Sequence, residues 1–136
     1  MAKRKNRVIL DTNLWISLLL TKDYKKFDRI IDNTEITLVF SEELLQELID
    51  VSQRKKFKKY FDPTDIYTLL ALIQRRADFI TVVSETKICR DPKDNFLLAL
   101  AIDGSASHLI TGDSDLLVLE KFEDTVILTM TDYLDI

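Results

Sequence analysis

The chain has 136 residues, 46% of them hydrophobic and 31% charged, with 19 Lys and Arg against 23 Asp and Glu for a net charge of −4. That length suits one domain over 1–136, large enough to bury roughly 70% of its unfolded surface, and the composition is neither disordered nor fibrous. Apolar runs such as Phe96–Ile102 are far too short to span a bilayer, no basic start leads into an export signal, and a single cysteine fits a reducing cytoplasm.

Arg7–Leu10 (RVIL) predicts a buried strand that ends at Asp11-Thr12-Asn13. Leu14–Leu20 and Tyr24–Asp32 read as helix, and Ile36–Phe40 (ITLVF) as a β-branched strand. Ser41 is a good N-cap for a helix through about Val51. Pro63 opens a helix to about Ala77, and Phe79–Val83 is a third strand. Asp91 followed by Pro92 signals a helix start, with the apolar FLLALAI carrying it through Ile102. Leu109–Thr111 makes a fourth strand, Ser114–Glu120 a short helix and Val126–Thr129 a fifth strand. Short apolar strands separated by helices predict an α/β fold, a three-layer sandwich around a parallel sheet of about five strands. In such sheets ligands bind beyond the carboxyl ends of the strands.

Several chemistries are excluded by counting. Cys89 and His108 cannot supply the four ligands of a structural zinc site. Two glycines cannot build a nucleotide-binding fingerprint. His108 lies in an apolar strand and reads as structural, while Cys89, with no histidine near it in sequence, reads as a small packed residue. Carboxylates remain, and with them a hard metal.

Asp11 follows RVIL directly, and Asp113 follows the LIT strand after one glycine. Glu47 shares a helix face with Leu44, Leu48 and Val51, and Asp94 shares one with Leu97, Leu98 and Ala101. An ionised carboxylate on a buried face is costly unless paired or metal-bound, so the four acids predict a shared cation. Mg²⁺ and Mn²⁺ suit carboxylate oxygens, and phosphodiester hydrolysis by two metals about 4 Å apart needs acids around them. Asp115 is a further candidate ligand or outer acceptor, and Thr12, Asn13, Ser41 and Thr111 are candidates to orient the ligating oxygens. Taken singly, Asp11, Asp94 and Asp113 also read as helix-capping or dipole-facing acids, and Glu47 as a solvated or ion-paired one.

Those residues lie in four segments, RVILDTNLWIS (7–17), SEELLQEL (41–48), RDPKDNFLLALA (90–101) and HLITGDSDLL (108–117). In this order they resemble the PIN domain, and more narrowly PIN proteins described as toxin components of bacterial and archaeal toxin–antitoxin systems. The resemblance implies an α/β/α sandwich and a Mg²⁺- or Mn²⁺-dependent ribonuclease. It carries the acidic positions onto Asp11, Glu47, Asp94 and Asp113, with Asp115 as an additional acid. It further implies an RNA substrate, with an antitoxin protein and a second copy of the chain as candidate partners; the composition adds the cytoplasm and no membrane. The alternative is a catalytically silent PIN-like module that binds RNA or protein. A phospho-accepting receiver domain is disfavoured, because the last strand is followed by Met130-Thr131 and not by lysine.

Charge is unevenly spread. Residues 1–60 carry 13 basic and 9 acidic side chains, residues 61–90 carry 4 and 4, and residues 91–136 carry 2 and 10. Arg54, Lys55, Lys56, Lys58 and Lys59, interleaved with Phe57, Tyr60 and Phe61, form a weak candidate RNA track. The competing reading, a solvated segment with its aromatics packed inward, is favoured. Lys3, Arg4 and Lys5 read as a solubilising terminal tail.

Overall fold

A computed structural model describes residues 6–21 and 24–136; the basic segment Lys3–Lys5 lies outside them. Strand β1 (Asn6–Leu10) leads into α1 (Thr12–Thr21) and α2 (Tyr24–Ile31), followed by β2 (Ile36–Phe40), α3 (Glu42–Ser52), α4 (Lys55–Lys58) and α5 (Pro63–Arg76). Then come β3 (Asp78–Phe79), α6 (Pro92–Asp103), β4 (His108–Ile110), α7 (Ser114–Leu117), the hairpin β5 (Lys121–Phe122) and β6 (Thr125–Leu128), and α8 (Met130–Leu134). The strand order is β3-β2-β1-β4-β6-β5, parallel except for the β5–β6 pair.

This order turns around at β1. From β1 the chain winds outward through β2 to β3, then returns to the other side of β1 for β4 and β6. Right-handed crossovers therefore place α1–α5 on one face of the sheet, and α6 and α7 on the other. Burial agrees: Val8, Ile9 and Leu10 are successive residues pointing to opposite faces, and none exceeds 1% exposure. On the first face Trp15 of α1 packs against Phe40 of β2 with ring centroids 5.7 Å apart, and Phe40 meets Phe79 at 5.9 Å. The reversal opens a crevice between the carboxyl ends of β1 and β4, where ligands bind in folds of this kind.

The sheet has six strands where the sequence predicts five. The additional β5 is a two-residue edge strand turned back by Glu123, a non-glycine residue at φ 52°. Glu120, at φ 59°, also stops α7 three residues short of its predicted end. The third strand shrinks from Phe79–Val83 to Asp78–Phe79, with one further ladder-like bond from Ile80 N–H to the Phe40 carbonyl at 2.8 Å. Beyond it the backbone turns away: Val83 and Ser84 donate to the carboxylate of Asp103. His108 opens β4 at the end of the sheet away from the crevice. It contacts Tyr133 edge-on and accepts a structural role, and burial lowers its pKa.

Gly104 ends α6 where the helix presses on β2. A Cβ placed there lies 2.7 Å from Val39 Cγ1 and 2.9 Å from the Leu100 carbonyl. Gly104→Ala is expected to destabilise the protein by about 1–3 kcal/mol through overpacking. The fall in Tm measured by calorimetry checks this; an unchanged Tm would show that α6 can lift from the sheet freely.

Candidate active site

The register places the first acid. Leu10 pairs with Ile110 across β1 and β4, so Asp11 and Thr111 emerge side by side at the carboxyl edge. Thr111 Oγ1 donates to Asp11 Oδ2 at 2.8 Å, and the Asn13 backbone N–H donates to Oδ1 at 3.2 Å. Asp11 is 8% exposed. Burial is the largest influence on it and raises its pKa; the two hydrogen bonds oppose this, while the charges of Asp113 and Glu47 add to it.

Asp113 follows one residue after Gly112 and caps α7, accepting the Asp115 N–H at 2.8 Å. Its own N–H donates to Thr111 Oγ1 at 3.0 Å, so one threonine hydroxyl ties both strand-end acids. Asp94 reaches the same crevice from the first turn of α6, whose start is fixed by Asp91 accepting the Lys93 N–H and by Pro92. Asp91 is thus a cap, as its sequence context suggests. Carboxylate oxygens of Asp94, Asp113 and Asp115 all lie within 4.8 Å of one another.

Asp94 is 4% exposed, and its Oδ2 is buried without a hydrogen-bond partner. Desolvation first, then the charge and carboxyl contact of Asp113, push its pKa up to about 7. A buried oxygen with nothing to bind, facing two further carboxylates, is a costly arrangement for the protein alone. An all-oxygen donor set of this kind fits a hard divalent cation.

Glu47 approaches from α3. Ser41 caps that helix by accepting the Leu44 N–H at 3.0 Å, and so supports Glu47 through the helix. Thr12 Oγ1 donates to Glu47 Oε2 at 2.9 Å, and Lys93 Nζ lies 3.2 Å from Oε1. Glu47 acts electrostatically on Asp11, and both stand outside the tight group of three. Asn13 contributes its backbone, and its side chain is exposed.

The residues that sequence reasoning missed here are the cations. Arg90 binds Asp115 and Lys93 binds Glu47, one on either side of the Asp91-Pro92 cap. The only sequence signal was their position, since residues flanking a fixed helix start must face the same lip. A groove of about 730 Å³ between α3 and α6 is lined by the acids Glu42, Glu43, Glu47 and Asp50 and by the cations Arg54 and Lys93, so Arg54 alone of the basic segment reaches it. Farther on, Phe61 is buried and stacks with Phe57, leaving Lys55, Lys56, Lys58 and Lys59 exposed around them. Cys89 is half-buried beside the acids. Burial and the charges of Asp94, Asp115 and Asp113 push its thiol up, keeping it protonated near neutral pH.

A family model described as PIN domain matches residues 7–115, which contain every acid described above. The chain belongs to the PIN domain family. PIN domains are in general metal-dependent nucleases, and an acidic group of three lies within the matched residues. A protein of Methanocaldococcus jannaschii, described only as uncharacterized, is 30% identical over 123 residues, covering 88% of this chain and 78% of that protein. No solved structure gives a significant match. Among the described residues no helix of this PIN protein is long and apolar enough to cross a membrane.

Asp94 gives the PIN centre a pH signature. An unfolded Asp titrates near 3.8 and the folded one near 7, so between those values the native state keeps a proton that the unfolded state releases. Its contribution to metal-free stability is therefore full at acid pH and is lost as pH rises through 7. A divalent ion competes with that proton, so Mn²⁺ is expected to raise Tm more at about pH 8 than at about pH 5.5. Asp94→Asn should remove most of this difference and stabilise the metal-free protein; equal Mn²⁺ shifts at both pH values in the wild type would contradict the assignment.

Proposed function

We propose that this PIN protein is a Mg²⁺- or Mn²⁺-dependent endoribonuclease, acting as the toxin of a toxin–antitoxin pair in the cytoplasm. The observation that carries the nuclease reading is the buried, unpartnered Oδ2 of Asp94, set against Asp113 and Asp115 in a family of metal-dependent nucleases. The toxin role, an antitoxin partner and a homodimer rest on the resemblance of the four sequence segments to toxin members of the family.

In this reading Asp11, Asp94, Asp113 and Asp115 hold the cation, with Glu47 at the margin of the site. A bound divalent ion supplies Lewis acidity and a water of lowered pKa for phosphodiester hydrolysis. The protein's own residues do the positioning. Thr111 fixes Asp11 and Asp113 together, the Asn13 N–H orients the second Asp11 oxygen, and Thr12 turns Glu47 toward the crevice. Arg54, Lys55, Lys56, Lys58 and Lys59 would meet the RNA backbone beyond the groove, through charge and not through aromatic stacking by the packed Phe57 and Phe61.

Single-stranded RNA should be cut in the presence of Mg²⁺ or Mn²⁺ and left intact in EDTA. Asp11→Asn and Asp94→Asn should each lower the rate by at least about 100-fold while preserving the far-ultraviolet circular dichroism spectrum. Cleavage that persists in either variant after exhaustive metal removal would reject this function; metal binding without cleavage of any RNA would favour a silent binding module.

A further inference from the structure

Residues 80–91 form neither helix nor strand, yet both ends of the segment are fastened to α6. At one end Asp103 accepts from the Val83 N–H at 2.6 Å, the Ser84 N–H at 2.8 Å and the Ser84 hydroxyl at 2.5 Å. At the other, the Asn95 amide engages one peptide residue in both directions. The Cys89 N–H donates to Asn95 Oδ1 at 2.8 Å, and Asn95 Nδ2 donates to the Cys89 carbonyl at 2.8 Å. Thr86 Oγ1 closes the arrangement by donating to the Asn95 carbonyl at 2.8 Å.

The clamped residue is followed directly by Arg90. Its Nη2 donates to both oxygens of Asp115, at 3.2 and 3.1 Å, yet the arginine side chain is 88% exposed and that of Asp115 43%. An ion pair so exposed adds little to stability and is readily exchanged. Asp115 is also one of the three grouped acids, so a cation in that group competes with Arg90 for it. The guanidinium then stays within reach of the site, because the Asn95 clamp holds its backbone. A planar guanidinium suits the paired oxygens of a phosphate. The region 91–136, with 2 basic and 10 acidic residues, otherwise offers a polyanion little attraction. Lys93, the neighbouring cation, is held by the less exposed carboxylate of Glu47 and is itself less exposed than Arg90.

We propose that Arg90 is a phosphate-binding residue of this centre, resting on Asp115 and passing to a substrate phosphate when a divalent ion takes Asp115, with Asn95 as the positioning residue that sets its reach. This rests on the nuclease reading of the same site, and its test separates the two. Binding of a fluorescein-labelled, nuclease-resistant phosphorothioate RNA dodecamer is followed by anisotropy in MnCl₂ at increasing KCl. Loss of one phosphate contact lowers the steepness of log K against log salt by about 0.7 for a single strand.

Arg90→Ala should show that loss together with severalfold weaker binding, and Arg90→Lys should restore the slope. Asn95→Ala should weaken binding, and adding Arg90→Ala to it should cost less than in the wild type, since coupled residues are not additive. Calorimetric titration with MnCl₂ alone should show Arg90→Ala binding the ion severalfold more tightly, because its internal competitor is gone. An unchanged salt slope in Arg90→Ala, additive losses in the double variant, weaker Mn²⁺ binding or no RNA binding by the wild type would each overturn the proposal. Arg90-dependent RNA binding without cleavage would sink the nuclease reading and leave this one standing; cleavage with no effect at Arg90 would do the reverse.

Discussion

The arrangement at the crevice is dominated by repulsion among carboxylates that the fold forces together. Each acid but one has its own relief. Asp11 accepts from Thr111 and the Asn13 N–H, Glu47 from Thr12 with Lys93 alongside, Asp113 from the Asp115 N–H, and Asp115 from Arg90. Asp94 keeps a buried oxygen with no partner. Its place in the first turn of α6 offers some help from the helix dipole, but desolvation and Asp113 outweigh this and push its pKa up to about 7. Strain of this kind persists only where the surroundings over-determine the geometry.

The surroundings do so through the sheet. Val8, Ile9, Leu109 and Ile110 are fully buried and Leu10 nearly so, which locks the register of β1 against β4. A slip of one residue would turn every one of these side chains to the other face. Asp11 and Thr111 therefore inherit their contact from apolar pairing several residues earlier in each strand. α6 is held comparably, by Leu98 and Leu100 within the core and by Gly104 against Val39. The acids are brought together by hydrophobic packing and not by any attraction among themselves.

Much of this was legible in the sequence because it depends on local patterns. RVIL followed by Asp, an i, i+3, i+4, i+7 apolar set around Glu47 and another around Asp94 locate the strand end and the buried helix faces without long-range information. Features that depend on tertiary choice were not legible. The β5–β6 hairpin turns through a left-handed glutamate where no glycine or asparagine marks it. The TVV run after Phe79 has strand propensity, but Asp103 offers its amides a competing acceptor. The identity of the partners of Glu47 and Asp115 was barely legible, since the choice of an ion-pair partner leaves no periodicity and only the place of Arg90 and Lys93 beside the helix start hinted at it. In the basic segment the favoured reading, aromatics packed inward, holds for Phe57 and Phe61 but not for Tyr60, which is exposed.

The turn from Arg90 to Asp94 shows why a compact sequence motif can govern a whole centre. Within five residues it supplies the cap that starts α6, the proline that fixes the first helical position, the buried acid, and a cation for each flank of the crevice. Because Asp91 and Pro92 fix the backbone, the distances among these groups are set together. Displacing the helix start would move Asp94 away from Asp113 and would also pull Lys93 from Glu47 and Arg90 from Asp115. Charge separation along the chain has its counterpart at this turn. The acidic C-terminal part provides the three grouped carboxylates, while the cations paired with acids there are Arg90 of the clamped segment and Lys93 of α6 itself. At this lip each cation stands directly on an acid, Arg90 on Asp115 and Lys93 on Glu47, an arrangement imposed by the geometry of one helix N-terminus.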